Sequence, residues 1–275
     1  MTGRLLVTGG TGYLGGELLR RAPAVGTWHT REPAAGDWLR LDVRDPAAVR
    51  RAVESLRPGA VIHTAYRQDD RATTLDGAAA VAQAAALVEA RLVHVSSDVI
   101  FDGTKPGQYT EEDPPSPITD YGRAKADAER VVRAAHPDAL IVRTSLIYGG
   151  HEPSRYERTA WEAAQGGGGM TFFEDELRSP VLVGELASAL LELAGRDEAG
   201  ILNVAGPDTV SRYEFAVLLA RANGLPGEQI PRSRLAGSGL VRPANCALDS
   251  SRARAHLRTR LRGVLEYAAL GTPGP

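Results

Sequence analysis

Tyr121 and Lys125 stand four residues apart in the run Tyr121-Gly122-Arg123-Ala124-Lys125. The surrounding pattern predicts a helix from Thr119 to Ala135. One helical turn separates the two side chains, so they point the same way. A phenol beside a fixed ammonium is a tuned acid. The positive charge favours phenolate and pulls the tyrosine below its ordinary pKa of about 10. Such a tyrosine can donate a proton near neutral pH. A pair like this in isolation is more often an amphipathic helix face, so its meaning rests on what else the chain carries.

The chain opens with an apolar run, Arg4 to Thr8, followed by Gly9-Gly10-Thr11-Gly12-Tyr13-Leu14-Gly15-Gly16. The run predicts a buried strand, and Tyr13 to Arg21 predicts a helix. Strand, glycine loop and helix in this order are the context of a dinucleotide-binding loop. Gly9 permits the tight turn, Gly12 lets backbone amides approach a pyrophosphate, and Gly15 lets the helix pack on the strand. The helix N-terminus favours the negative charge. Thr11, Tyr13 and Leu14 complete the candidate loop.

A second strand, Val25 to Thr30, ends His29-Thr30-Arg31. An acid at this tip would bind the adenosine ribose and favour NAD. No acid stands there, and Arg31 offers charge-assisted hydrogen bonds to a 2′-phosphate. The reading favours NADP, with NADPH preferred over NADH. Asp42-Val43, after a third strand (Trp38 to Leu41), offers a carboxylate to the adenine amino group. Asp45 precedes Pro46 and reads as a helix N-cap. Further strands are expected at Ala60–Thr64, Leu92–Ser96 and Ala139–Thr144, with helices at Pro46–Leu56 and Thr74–Glu89.

This alternation predicts an α/β fold, a Rossmann-type doubly wound parallel sheet. Ligands bind such sheets at the carboxyl ends of the strands, which brings Thr64, Ala65 and Tyr66 into the candidate cofactor set. The second half is less regular. It predicts helices near Ser154–Gln165, Gly184–Leu193 and Arg212–Ala222 and a short strand at Gly200–Val204. The expected division is a dinucleotide-binding domain over 1–149 and, over 150–275, mainly a smaller C-terminal α/β substrate lobe interleaved with the sheet.

The 275 residues are 43% hydrophobic with a formal net charge of −2. That supports a substantial core and argues against a nucleic-acid binder. Cys246 is the single cysteine, which excludes an intrachain disulfide and suits a packing role. The six histidines show no metal-ligand spacing. His63 and His94 lie in apolar strands and read as hydrogen-bonded core residues. No apolar run is long enough for a membrane span and no signal-peptide pattern opens the chain, so a cytoplasmic protein is expected. Gly166–Gly169 reads as a loop or helix end, and 271–275 as a frayed tail.

With these residues in view, the chain resembles the extended short-chain dehydrogenase/reductases, and within them the dTDP-4-dehydrorhamnose reductase group. The resemblance runs in order through Gly9–Gly15, Val95-Ser96-Ser97-Asp98-Val99-Ile100-Phe101-Asp102-Gly103, Tyr121–Lys125, Arg143-Thr144-Ser145-Leu146-Ile147-Tyr148-Gly149, Arg178-Ser179-Pro180 and Arg242-Pro243-Ala244-Asn245. It implies a third catalytic residue, Ser97, beside Tyr121 and Lys125, with Ser96 as the neighbouring competitor. Lys125 would also hold the nicotinamide ribose. It further implies a nucleotide-sugar substrate met by Asp98, Ser145, Arg178 and Arg242, and it allows a homodimer. The activity implied is NADPH-dependent reduction of a 4-keto group on a nucleotide-linked deoxysugar. Two alternatives share the resemblance: a non-catalytic NADP-binding regulatory subunit like that of methionine adenosyltransferase, and a sugar-nucleotide epimerase or dehydratase. The chain departs from the group's pattern at Leu146, where a Trp is usual, and at Arg178 and Val181, where small and hydroxyl residues are usual. Arg178 could serve a diphosphate or pair with Glu174 or Glu176.

Overall fold

The structure, a computed structural model, describes residues 3–270. The tail expected at 271–275 lies outside them. Strands β1 (Leu5–Thr8), β2 (Val25–Trp28), β3 (Trp38–Arg40), β4 (Ala60–His63), β5 (Arg91–Val95), β6 (Leu140–Arg143) and β7 (Gly200–Asn203) form one sheet. Their order is β7-β6-β5-β4-β1-β2-β3. From β3 across to β6 every neighbouring pair is parallel. The chain therefore winds outward from β1 in both directions, the doubly wound arrangement expected. Parallel strands covered on both faces read as continuous apolar runs, and β1 and β4 are buried at every residue.

The helices of this half are α1 (Tyr13–Arg21), α2 (Pro46–Leu56), α3 (Gly77–Leu87) and α4 (Asp120–Ala135). Asp45 caps α2: its carboxylate accepts from the Ala47 and Ala48 amides at 3.0 Å, and Pro46 opens the helix. One sheet face presents Leu6, Val61, Leu92 and Ile141 to Val49 and Val53 of α2, Ala82 of α3, and Ala128 and Val132 of α4. Side chains alternate along a strand, so Thr8, His63, His94 and Arg143 continue this face at the carboxyl ends. Polar groups thus line the last layer of an otherwise apolar interface.

One helix start differs from expectation. The helix expected from Thr74 begins as a wide turn, Ala72–Asp76, before α3. The Asp70 carboxylate accepts from the Ala72 and Thr73 amides and starts the turn ahead of the apolar pattern. The strand expected at 200–204 is β7, the edge strand of the main sheet, where the Gly200 amide donates to the Ala139 carbonyl, so a segment of the second half interleaves with the sheet. Pairing across some sixty residues leaves no local sequence signature.

The chain divides into two compact units. One holds the chain up to Ile100, Asp120–Arg143 and Ala187–Leu202. The other holds Phe101–Thr119, Thr144–Leu186 and the chain from Asn203 onward. Within the second, α5 (Arg155–Ala164) and, beyond α6 (Val183–Ala194), α7 (Arg212–Ala222) pack on each other. Each starts with a capping box, Ser154 with Glu157 and Ser211 with Glu214. Their core includes Tyr148, Phe172, Phe215 and Leu219, and Leu146 joins it. The Gly166–Gly169 run closes α5, with the Gly166 and Gly167 amides donating to Ala163 and Glu162 carbonyls. Cys246 is buried, its thiol 3.8 Å from the Phe101 carbonyl. No helix among the described residues is long and apolar enough to cross a membrane.

Arg143 and Glu129 tie β6 to α4. The Arg143 Nη2 donates to Glu129 Oε2 at 2.9 Å and its Nε to Oε1 at 3.1 Å, with both side chains buried. Removing Glu129 takes the carboxylate from a buried guanidinium, a change that typically costs about 3–5 kcal/mol, whereas replacing both by apolar residues costs far less. Urea unfolding of Glu129→Ala is expected to show a loss in that range, and Glu129→Leu with Arg143→Met most of it recovered. A small loss in the single variant would mean that Arg143 is held by other groups.

Candidate active site

Chemistry-bearing residues gather at the carboxyl end of the sheet in the first unit. The Gly12 amide closes a tight turn onto the Gly9 carbonyl at 2.9 Å, and no side chain caps the N-terminus of α1. Gly9 has φ +72, and a Cβ there would sit 2.8 Å from the Ala65 backbone. A Cβ on Gly15 would collide with the Gly9 carbonyl oxygen. The loop therefore requires glycine at both positions. An uncapped helix start behind a bare glycine turn suits a pyrophosphate, so these residues fit a dinucleotide. Thr27 fixes the loop from β2: its hydroxyl accepts the Gly9 amide and its carbonyl the Gly10 amide. Thr64 donates its hydroxyl to the Thr8 carbonyl at 2.7 Å, which holds Thr64, Ala65 and Tyr66 beside the loop.

Lys125 is buried, 3% exposed, and its Nζ donates to the Val95 carbonyl at the end of β5 at 2.9 Å. The ammonium lies 4.9 Å from the centre of the Tyr66 ring, and that ring lies 5.7 Å from the Tyr121 ring. Tyr66 thus bridges the helix pair. Burial pushes Lys125 down to about 8, with Glu129 opposing the shift. Ser97 is half-buried just past β5; its hydroxyl donates to Asp98 Oδ1 at 3.2 Å. Ser96 is buried, with its hydroxyl unpartnered. Of the two serines, only Ser97 keeps solvent access. The turn Asp98–Ile100 packs against α4, and Asp98 is 3% exposed.

His63 and His94 stack beneath this layer with ring centres 5.2 Å apart. Burial first, then the Lys125 charge, pushes His63 down to about 3 and His94 well below the usual range. Both are neutral. The expected hydrogen bond exists for His63, whose Nδ1 meets Thr8 Oγ1 at 2.6 Å. It does not exist for His94, which has no partner on either ring nitrogen and is held by stacking instead.

Arg31 stands just past β2, exposed and without an ion pair among the described residues. Asp42 is held by Arg44 through the backbone amide at 3.0 Å and the guanidinium at 2.8 Å. Val43 is buried against Gly77, so its side chain serves the core.

In the second unit Ser145 is buried and accepts the Ser179 amide at 3.3 Å. Arg178 is buried and donates to Glu176 Oε1 at 3.0 Å and to the Pro243 carbonyl at 3.1 Å. Arg178 pairs with Glu176, and Glu174 pairs with Arg232. Arg242 is 44% exposed at its side chain and shares Glu176 Oε1 at 3.0 Å. Sequence reasoning missed Arg212, which lies 4.9 Å over the Tyr156 ring. Burial pushes its guanidinium below the usual arginine range, and the positive charges of Arg178 and Arg242 add to the shift against Tyr156 and Glu176. Three cations around one carboxylate leave a positive excess suited to an anion.

The chain matches the RmlD substrate binding domain family over residues 3–266. It belongs to that family. It is 33% identical to a dTDP-4-dehydrorhamnose reductase of Mycolicibacterium smegmatis, over 84% of this chain and 72% of that protein. It is also 30% identical to methionine adenosyltransferase 2 subunit beta of Mus musculus, over 90% of this chain and 81% of that one. Among solved structures, a dTDP-4-dehydrorhamnose reductase from Bacillus anthracis in complex with NADP superposes with a TM-score of 0.83 at 25% identity, covering 98% of this chain and 99% of that one. In this RmlD-family chain the Arg212 stack on Tyr156 and the reach of Arg44 to Asp70 join segments distant in sequence, whereas the Arg44 pairing with Asp42 is local and was open to a sequence reading.

The Lys125 value has a consequence for stability. An unfolded lysine keeps its proton to about pH 10.4, whereas the folded one releases it near 8. Between these limits the unfolded chain binds more protons, so stability contributed by this group rises with pH. The unfolding free energy of wild type relative to Lys125→Met should therefore increase by about 3 kcal/mol from about pH 7.5 to about pH 10.5. A flat difference would place Lys125 at an ordinary pKa.

Proposed function

We propose that this chain is an NADPH-dependent reductase of the 4-keto group of a dTDP-linked deoxysugar. The observation that carries the reading is the Lys125 ammonium buried at the end of β5, one helical turn from Tyr121, with the half-exposed Ser97 just past the same strand. The Bacillus anthracis reductase solved with NADP and the Mycolicibacterium smegmatis dTDP-4-dehydrorhamnose reductase support it.

In this reading the first unit binds the dinucleotide and the second supplies substrate contacts. The Gly9–Gly15 loop with Thr11, Tyr13 and Leu14 holds the pyrophosphate. Arg31 takes the 2′-phosphate, Asp42 the adenine amino group, and Thr64, Ala65 and Tyr66 the stretch beyond. Bound NADPH supplies the hydride. Ser97 and Tyr121 donate hydrogen bonds to the substrate carbonyl oxygen, which stabilises the negative charge that develops there. Tyr121 then transfers its proton to that oxygen, giving the alcohol. Lys125 holds the nicotinamide ribose and lowers the cost of the phenolate that Tyr121 becomes. Arg242 and Arg212 suit the diphosphate, while Arg178 positions Arg242 through Glu176.

The test is NADPH oxidation followed at 340 nm with a dTDP-4-keto-6-deoxy sugar, beside Tyr121→Phe. Wild type is expected to consume NADPH and the variant to lose about 10²–10⁴ in rate, the size of a general-acid contribution. Tight NADPH binding without consumption would favour the alternative of a non-catalytic NADP-binding regulatory subunit; the mouse relative is named methionine adenosyltransferase 2 subunit beta. Full turnover in Tyr121→Phe would remove Tyr121 as the acid.

A further inference from the structure

The parallel pairing of β2 with β3 sets Trp28 against Arg40, and the Leu41 amide donates to the Trp28 carbonyl at 2.8 Å. The residues that follow, His29-Thr30-Arg31 and Asp42-Val43-Arg44, therefore emerge side by side at the adenosine edge. A carboxylate near a 2′-phosphate repels it and leaves a ribose hydroxyl unopposed. Asp42 is such a carboxylate. His29 Nε2 lies 3.3 Å from its Oδ2, which confirms that the two strand ends meet.

Asp42 is not free. Arg44 donates to it from the backbone amide at 3.0 Å, from Nε at 3.0 and 3.2 Å, and from Nη2 at 2.8 Å. The remaining arm, Nη1, reaches Asp70 Oδ2 at 3.3 Å. Asp70 is itself fixed by the Ala72 and Thr73 amides and the Thr73 hydroxyl. Arg44 is thus tied at both ends, whereas Arg31 makes no ion pair and is exposed, with Glu32 exposed beside it.

We propose that Arg44 sets the preference for a 2′-phosphorylated dinucleotide by clamping Asp42, leaving Arg31 to contact the phosphate. The inference rests on the reading that the cofactor is NADP(H). The physics is charge cancellation. The hydrogen bond from Arg44 holds the Asp42 carboxyl near 2, so protonation never removes its charge at working pH and only a paired cation can. Without Arg44, the Asp42 charge beside the end of β2 would be unscreened and would repel a phosphate held there by Arg31. That repulsion acts on NADPH and not on NADH.

The experiment is fluorescence titration of the intact protein with NADPH and with NADH, in wild type, Arg44→Ala, Asp42→Asn and the double variant. No turnover is needed. The NADPH-to-NADH affinity ratio is expected to fall on the order of tenfold in Arg44→Ala and to return to within about twofold of wild type in the double variant. Asp42→Asn alone should keep a ratio at or above wild type, since any adenine contact it loses is shared by both cofactors. A double variant as poor as Arg44→Ala would mean that Arg44 touches the phosphate itself, and an unchanged ratio in Arg44→Ala would mean that the clamp does nothing. Either overturns the inference while leaving the NADPH reading intact. A wild type that prefers NADH, or binds neither, overturns both.

Discussion

A single buried ammonium organises the chemistry-bearing end of the first unit. Lys125 carries its charge into a layer with 3% exposure, and that is tolerated only because Val95 offers a carbonyl at the end of β5 and Tyr66 offers a ring face. Desolvating an ammonium without such partners is costly. Each partner has its own requirement. The Val95 carbonyl points the right way only if β5 ends there, and Tyr66 is available only if the chain leaves β4 beside the Gly9 loop. Glu129, one turn beyond Lys125, is in turn held by Arg143. The sheet order and the register of α4 are thus read out in one group.

The same layer explains why His63 and His94 stay neutral. Any charge on them would repel Lys125 and would have no counter-ion in an apolar interior. Neutral, stacked rings fill the volume between β4, β5 and α4 without adding charge. The second unit solves a different problem. There the cations exceed the carboxylate they share: Glu176 accepts from both Arg178 and Arg242, and Arg212 is stacked on Tyr156. The Arg178 and Arg242 guanidinium groups are both fixed on the one carboxylate oxygen, so Arg242 is held in place while its side chain stays partly exposed.

Much of this was legible in the chain. The Gly9–Gly15 loop, the α1 helix and the Asp45 cap are local features, and local steric and capping rules specify them. The pairing of Tyr121 with Lys125 follows from helical spacing alone. What the sequence concealed is what depends on distant partners. The placement of β7 beside β6, the reach of Arg44 to Asp70, the bare ring nitrogens of His94 and the stacking of Arg212 each arise between segments far apart in the chain. The early start of the turn before α3 was hidden for another reason: the Asp70 side chain, and not the apolar pattern, sets it.

In the reaction proposed for this chain, NADPH would supply hydride to C4 of a nucleotide-linked keto sugar and Tyr121 would supply the proton. The most direct measurement is mass spectrometry of the sugar product after incubation with NADPH deuterated at the transferred position of the nicotinamide. The account predicts a reduced sugar carrying deuterium at C4, with an unlabelled oxidised cofactor. An unlabelled sugar, or a sugar rearranged while the cofactor keeps its deuterium, would contradict it.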